Sequence, residues 1–238
     1  YEVSETKGGD EKGGYTNDDN VYLLDIAVED DGESVLTVTT TVKNKKTGKI
    51  ADKSVMKSSD KDTAKTAVKI PFVNRYSASG SLDASGTAGI KAEKILTGRD
   101  MKAGEYSFRI VNASDPEKKV ISTGTNEAAS AGKSGSIEFS SIEYTSAQLK
   151  KAVSAGLATK DGDVYTLQYE VYEVTDSLPA GVSPVKSSFT ITVQVKDDGK
   201  GSLEASVTYP DKAESLQFEN SYDTSSAVIP LKGLKVLE

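Results

Sequence analysis

Tyr165-Thr166-Leu167-Gln168-Tyr169-Glu170-Val171-Tyr172-Glu173 alternates its residue types with a period of two, the mark of a β-strand with one buried face. Tyr165, Leu167, Tyr169 and Val171 share that face. So does Glu173, an acid at a position where the pattern asks for an apolar side chain. The same alternation runs through residues 35–42 and 188–195. Asp30-Asp31-Gly32 and Asp197-Asp198-Gly199 stand between such runs and read as hairpin turns. One helix is expected: Thr145 or Ser146 caps it, Leu149, Ala152 and Val153 form its apolar stripe, and Gly156 stops it. The chain therefore reads as all-β, with one short helix on a connection.

Composition narrows the function classes. The 238 residues allow one large domain or about two ordinary ones. There is no cysteine and no histidine, which removes disulfides, thiol nucleophiles, imidazole bases and the usual zinc ligands. A net charge of −7 without a basic run argues against nucleic acid as a partner. No apolar stretch approaches the ~18–20 residues of a membrane span. The Asp-Asp-Gly turns and Asn17-Asp18-Asp19-Asn20 lack the ligand spacing of an EF-hand loop and read as plain turns. No metal or cofactor is expected.

Three short motifs recur out of phase with the chain ends. In the middle they appear in order: Lys94 opening Lys-Ile-Leu-Thr-Gly-Arg, Glu173 closing Tyr-Glu-Val-Tyr-Glu, and Asn220 in Phe-Glu-Asn-Ser-Tyr. The first 80 residues repeat only the second and third, as Glu5 in Tyr-Glu-Val-Ser-Glu and Asn74 in Phe-Val-Asn-Arg-Tyr. The last eight hold only the first, at Lys235. Residues 28–36 match residues 195–203 around the Asp-Asp-Gly turns, which makes this an internal repeat. Beyond that match Asn74 lies 38 residues from Leu36, but Asn220 lies 17 from Leu203. The extra 21 residues fall mainly in the Lys-rich stretch 43–61 and read as a longer hairpin or lateral insertion. The expected organisation is a C-terminal domain portion over 1–82, a complete domain over 83–225, and the first strand of a further domain over 226–238.

Lysine, a carboxylic acid and asparagine are the ingredients of a self-made amide. Alternation sends Lys94 inward with Leu96, Glu173 with Val171, and Asn220 with Phe218 and Tyr222. Burial disfavours the charged forms of both amine and acid. A neutral amine attacks, a protonated carboxyl polarises the carboxamide, and ammonia leaves. Folding supplies proximity, which lowers such a barrier by up to ~7–11 kcal/mol. A buried Lys–Glu pair also occurs as an ordinary ion pair, which adds little stability; recurrence of the motifs in order favours the crosslink.

Taken together, Lys94–Arg99, Ala103-Gly-Glu-Tyr-Ser-Phe108, Ile137-Glu-Phe139, Ile142-Glu-Tyr144, Tyr-x-Val-x-Glu173 and Phe-x-Asn220-x-Tyr resemble the streptococcal pilin isopeptide-linkage domain. The resemblance spans about 86–225 completely, about 1–80 as a C-terminal portion, and 226–238 as a first strand. It implies tandem β-sandwiches of reversed-immunoglobulin type, with the reactive lysine on the first strand and the asparagine on the last. Lys94 and Lys235 take the lysine role, Asn220 and Asn74 the asparagine role, and Glu173 and Glu5 the promoting acid. The first copy departs from the pattern, because no lysine strand precedes Glu5 and Asn74.

The implied function is a stalk or subunit of a Gram-positive surface filament, extracellular and anchored to the cell wall. Its partners are copies of itself or neighbouring pilin domains. The alternative is an adhesin module binding a host protein or glycan on a crosslinked scaffold. An enzyme, such as a hydrolase using Glu5 or Glu173, lacks a convincing second acid or base. The lysine pairs 45–46 and 150–151 read as solvated faces.

Overall fold

The computed structural model describes residues 1–6, 13–60, 67–83, 89–225, 227, 229, 230, 232, 233 and 235. The chain divides into two compact units: residues 1–78 with 199–202, and residues 79–198 with those from 203 onward.

In the first unit, β1 (Glu2–Ser4), β3 (Val21–Asp30), β4 (Leu36–Asn44) and β5 (Ile50–Lys57) form an antiparallel sheet in that order, and β2 (Tyr15–Thr16) pairs with β6 (Arg75–Tyr76). The Asp30-Asp31-Gly32 turn joins β3 to β4. Asp30 and Asp31 side chains accept the amides of Gly32 and Glu33, and Gly32 takes a positive φ of 77°, the backbone state glycine adopts without cost. The 21-residue surplus of this copy is explained by β5, which makes a hairpin on β4 across a turn held by Asn44 Oδ1.

The second unit contains β7 (Ser79–Leu82), β8 (Ala92–Thr97), β9 (Ser107–Asn112), β10 (Val120–Asn126), β11 (Ser134–Phe139), β12 (Ile142–Thr145), β13 (Thr159–Asp161), β14 (Val164–Glu173), β15 (Val182–Lys186), β16 (Ser188–Asp197), β17 (Leu203–Thr208) and β18 (Leu216–Tyr222). Two layers, β15-β18-β8-β11 and β10-β9-β14-β16-β17, join through β10 and β11 into one curled sheet; β13 pairs with β14, and β12 pairs with β7. The layers meet over aromatic rings. Phe218 of one layer lies 4.9 Å from Phe108 and 4.8 Å from Phe189 of the other. This is an all-β, sandwich-like fold, as its alternating strands require.

The single α-helix among the described residues, α1 (Ser146–Ser154), follows β12. Thr145 caps it by accepting the Gln148 amide, Leu149 is its buried apolar anchor, and Gly156 follows with φ of 73°. No described helix is long and apolar enough to cross a membrane.

Topology positions the candidate site. β8, near the start of the unit, lies beside its last strand, β18, and the pairing is parallel, with Lys94 opposite Phe218 and Leu96 opposite Asn220. On the facing layer, β14 runs between β16 and β9, so Glu173 at its end pairs with Phe108.

Candidate functional site

The period of two places Ala92, Lys94 and Leu96 on the buried face of β8. It does the same for Leu216, Phe218 and Asn220 on β18, and for Tyr169, Val171 and Glu173 on β14. Three polar side chains from three strands therefore enter one apolar interior. Lys94 is 0% exposed, Asn220 1% and Glu173 3%.

They meet there. Lys94 Nζ lies 2.9 Å from both carboxylate oxygens of Glu173. Asn220 Nδ2 donates to Glu173 Oε1 at 3.0 Å. One carboxylate thus holds both the amine and the carboxamide. Burial pushes the Lys94 ammonium below the ordinary lysine range, opposed by the hydrogen bond and charge of Glu173. Desolvation wins because no solvent reaches the group.

Two buried side-chain polar atoms among the described residues have no hydrogen-bond partner: Asn220 Oδ1 and the Tyr106 hydroxyl. An unmet buried acceptor costs ~1–3 kcal/mol. Asn220 Oδ1 is the carbonyl oxygen that must be polarised for attack at its carbon. A half-turn of the amide would exchange Nδ2 for Oδ1 against Glu173, where a proton handed on from Lys94 could be donated to it. The Tyr106 ring covers Lys94 Nζ at 4.9 Å from its centroid, and burial raises its phenol. Tyr106 stood in a quoted motif without a role. The signal for it was its place two residues before Phe108, on the same inward face.

Local chemistry explains the rest of the lysine motif. Gly98 has φ of 92°, and a Cβ there would lie 2.2 Å from the carbonyl oxygen of Tyr222, so only glycine lets the chain leave β8 against β18. Arg99 stacks on the Tyr222 ring at 5.0 Å and pairs with Glu105, which also accepts the Lys102 amide at 2.9 Å. Asn126 Oδ1 accepts the Tyr106 amide at 2.8 Å while its Nδ2 donates to the carbonyls of Lys102 and Glu127. These bonds fix the turn that delivers Tyr106.

In the first unit Glu5 and Asn74 also meet: Asn74 Nδ2 donates to Glu5 Oε1 at 2.7 Å. The Asp18 amide lies 3.1 Å from Glu5 Oε2 and 2.8 Å from Asn74 Oδ1. No lysine bonds to the pair among the described residues, Glu5 is only half-buried and Asn74 is exposed. Asp18, read from sequence as a plain turn residue, is the bridge. Its own carboxyl accepts the amides of Asn20 and Val73, which hold it below the usual carboxylate range.

Lys235 is exposed and belongs to no described strand. Residues 226, 228, 231, 234 and 236–238 of the expected terminal strand lie outside the described residues. No group of three or more metal-ligating acids occurs among the described residues.

Two comparisons with known proteins bear on this arrangement. A family model described as the Spy0128-like isopeptide containing domain (FctA) matches residues 90–223, a span that holds Lys94, Glu173 and Asn220 together. Comparison with curated proteins returned no match.

Proposed function

This chain belongs to the Spy0128-like isopeptide containing domain family, and from that premise we propose that it is a load-bearing segment of a Gram-positive surface filament. In this reading it is stiffened by an autocatalytic amide between Lys94 and Asn220. The observation that carries the proposal is the buried contact of Lys94 and Asn220 with one carboxylate, on strands that lie side by side.

The reaction follows from that geometry. The ammonium of Lys94 passes a proton to Glu173 along their 2.9 Å contact, which neutralises both groups in an interior that penalises charge. Protonated Glu173 donates to the Asn220 carbonyl. The freed lone pair of Lys94 attacks Cγ, the Nζ–Cγ bond forms, the Cγ–Nδ2 bond breaks, and Nδ2, taking up through Glu173 the two protons that Lys94 gives up, leaves as ammonium. Glu173 ends as it began. The event happens once per molecule, so the role is maturation and not turnover, and the domain is structural.

Mechanically, the bond joins two adjacent parallel strands near opposite ends of the unit. Tension entering at β8 and leaving at β18 passes through the amide and bypasses the 125 residues between positions 94 and 220. A filament exposed to shear and proteases outside the cell uses such a domain as a link that does not extend. Copies of itself or neighbouring pilin domains are then its partners. Intact mass tests the chemistry: the purified chain should be lighter than its sequence by one ammonia, and Glu173→Ala should restore the full mass. Full mass in the native protein would refute the proposal.

A further inference from the structure

The motifs around the buried triad carry three residues that the amide chemistry leaves unused: Arg99 after Lys94, Tyr222 after Asn220, and Glu105 before Tyr106. The structure brings these three together at one end of the site. The Arg99 guanidinium lies 5.0 Å from the centroid of the Tyr222 ring. Glu105 receives it with both oxygens, Nη1 donating to Oε2 at 3.1 Å and Nη2 to Oε1. Glu105 Oε2 also accepts the Lys102 amide at 2.9 Å, which fixes the carboxylate to its own turn. Water is largely kept from the pair, the Arg99 side chain being 26% and that of Glu105 13% exposed. The Arg99 hydrogen bond, helped by the Lys102 amide, holds the Glu105 carboxyl below the usual carboxylate range.

Strand β18 needs such a hold. On one side Asn220 is paired with Pro184, at a register shift in β15, and proline has no amide hydrogen to give the ladder. On the other side the pairing with β8 ends at Ser221 opposite Thr97. Asn220 is therefore one residue from the end of one ladder and beside a defect in the other. A one-residue slip of β18 would turn its carboxamide out of the interior. A displacement of about 1 Å is enough to slow an oriented reaction about 10²-fold. Tyr222, two residues on, shares the face of Asn220 by alternation, and its ring is gripped from outside the ladder by Arg99. The grip continues into the facing layer. Glu105 leads directly into Tyr106, whose ring covers Lys94 Nζ, and Phe108 just beyond pairs with Glu173. One ion pair thus ties together the exit of β8, the end of β18 and the entry to β9.

Resting on the amide chemistry proposed above, we infer that Arg99 is a positioning residue for the Lys94–Asn220 bond. Anchored by Glu105, it pins Tyr222 and so holds β18 in the register at which the Asn220 carboxamide meets Glu173. Among the described residues its hydrogen bonds go to Glu105 and the Asp100 carbonyl and not to the triad, so it acts through Tyr222. Arginine suits the task because its planar fork grips a carboxylate while its face stacks on a ring; a lysine does neither.

The rate of ammonia loss tests this. Cell-free translation gives the full chain a defined starting time, and intact mass of timed samples follows the linking. Arg99→Ala should slow it by about 10–100-fold. Arg99→Lys keeps the charge without the fork and should remain nearly as slow. Tyr222→Leu should be slow as well and add little in a chain already carrying Arg99→Ala, since the two residues act as one unit, whereas Tyr222→Phe should link at the native rate. Denaturant titration of the same variants in a Glu173→Ala background, which cannot link, reads fold stability apart from the bond. There the Arg99→Ala midpoint should nearly match that of the parent, as befits an ion pair at the edge of the fold. Native-rate linking in Arg99→Ala, or a rate restored by Arg99→Lys, would overturn the inference and leave the proposed function standing. So would unfolding of Arg99→Ala in the non-linking background, which would make the residue structural. A native chain that never loses ammonia would instead remove the amide chemistry itself, and this inference with it.

Discussion

The two acid–amide pairs use the same residues and the same bond, an asparagine Nδ2 donating to a glutamate Oε1, at 2.7 Å for Asn74 and 3.0 Å for Asn220. They differ in what surrounds them. Glu173 and Asn220 sit in a dry interior with an ammonium under the Tyr106 ring, whereas Asn74 faces water and its glutamate partners a backbone amide. In water an ammonium and a carboxylate keep their charges, and neither reacts. On the proposed reading, the comparison teaches that the residue types are necessary but that burial is what turns them to chemistry.

The largest break in the comparison comes from the crosslink itself. By the loop-closure model used for disulfides, joining residues 126 apart stabilises by ~5 kcal/mol. Asn220→Ala should therefore lower the melting temperature of the second unit by roughly 10–20 °C, while Asn74→Ala in the isolated monomer should barely move that of the first. Scanning calorimetry of the two variants checks both.

Next is an apolar strand position. Val195→Asp places a charge in a fully buried site and should cost more than ~4 kcal/mol. The equivalent change Val28→Asp, at a residue 58% exposed, should stay within about 0.5 kcal/mol. Denaturant titration measures each, and equal effects would undo the contrast between the buried and the exposed strand position.

A smaller effect separates linked from unlinked protein by pH. In Asn220→Ala, Lys94 remains an amine whose native pKa is depressed by burial. Between that depressed value and the ordinary 10.5, the unfolded chain binds more protons than the native one, so stability should rise with pH across that window. The crosslinked protein has no ionisable group at Lys94 and should lack this rise. Smallest of all, Thr145→Ala removes the cap of α1 and should cost ~1 kcal/mol without changing the mass of the linked protein.

Much of this was legible in the chain. Period-two runs placed β4, β14 and β16, the Asp-Asp-Gly turns placed their hairpins, and Thr145 to Gly156 bounded the helix. Alternation alone sent Lys94, Glu173 and Asn220 inward, because strand side chains have only two faces to choose between. What was not legible depended on long-range packing. The parallel pairing of β8 with β18 joins residues 124 apart, and no local pattern encodes it. Asp18 looked like a turn residue because its part in the Glu5/Asn74 pair is played by its backbone amide, which has no side-chain signature. Alternation with Phe108 places Tyr106 on the inward face, but its contact with Lys94 is made across strands, which no local pattern encodes.

Peptide mapping of the native protein tests the central claim most directly. The account predicts one branched peptide in which the Lys94 side chain is amide-bonded to the former carboxamide of Asn220, lighter by one ammonia than its two parts. Two separate linear peptides, with Asn220 still carrying its amide nitrogen, would contradict it.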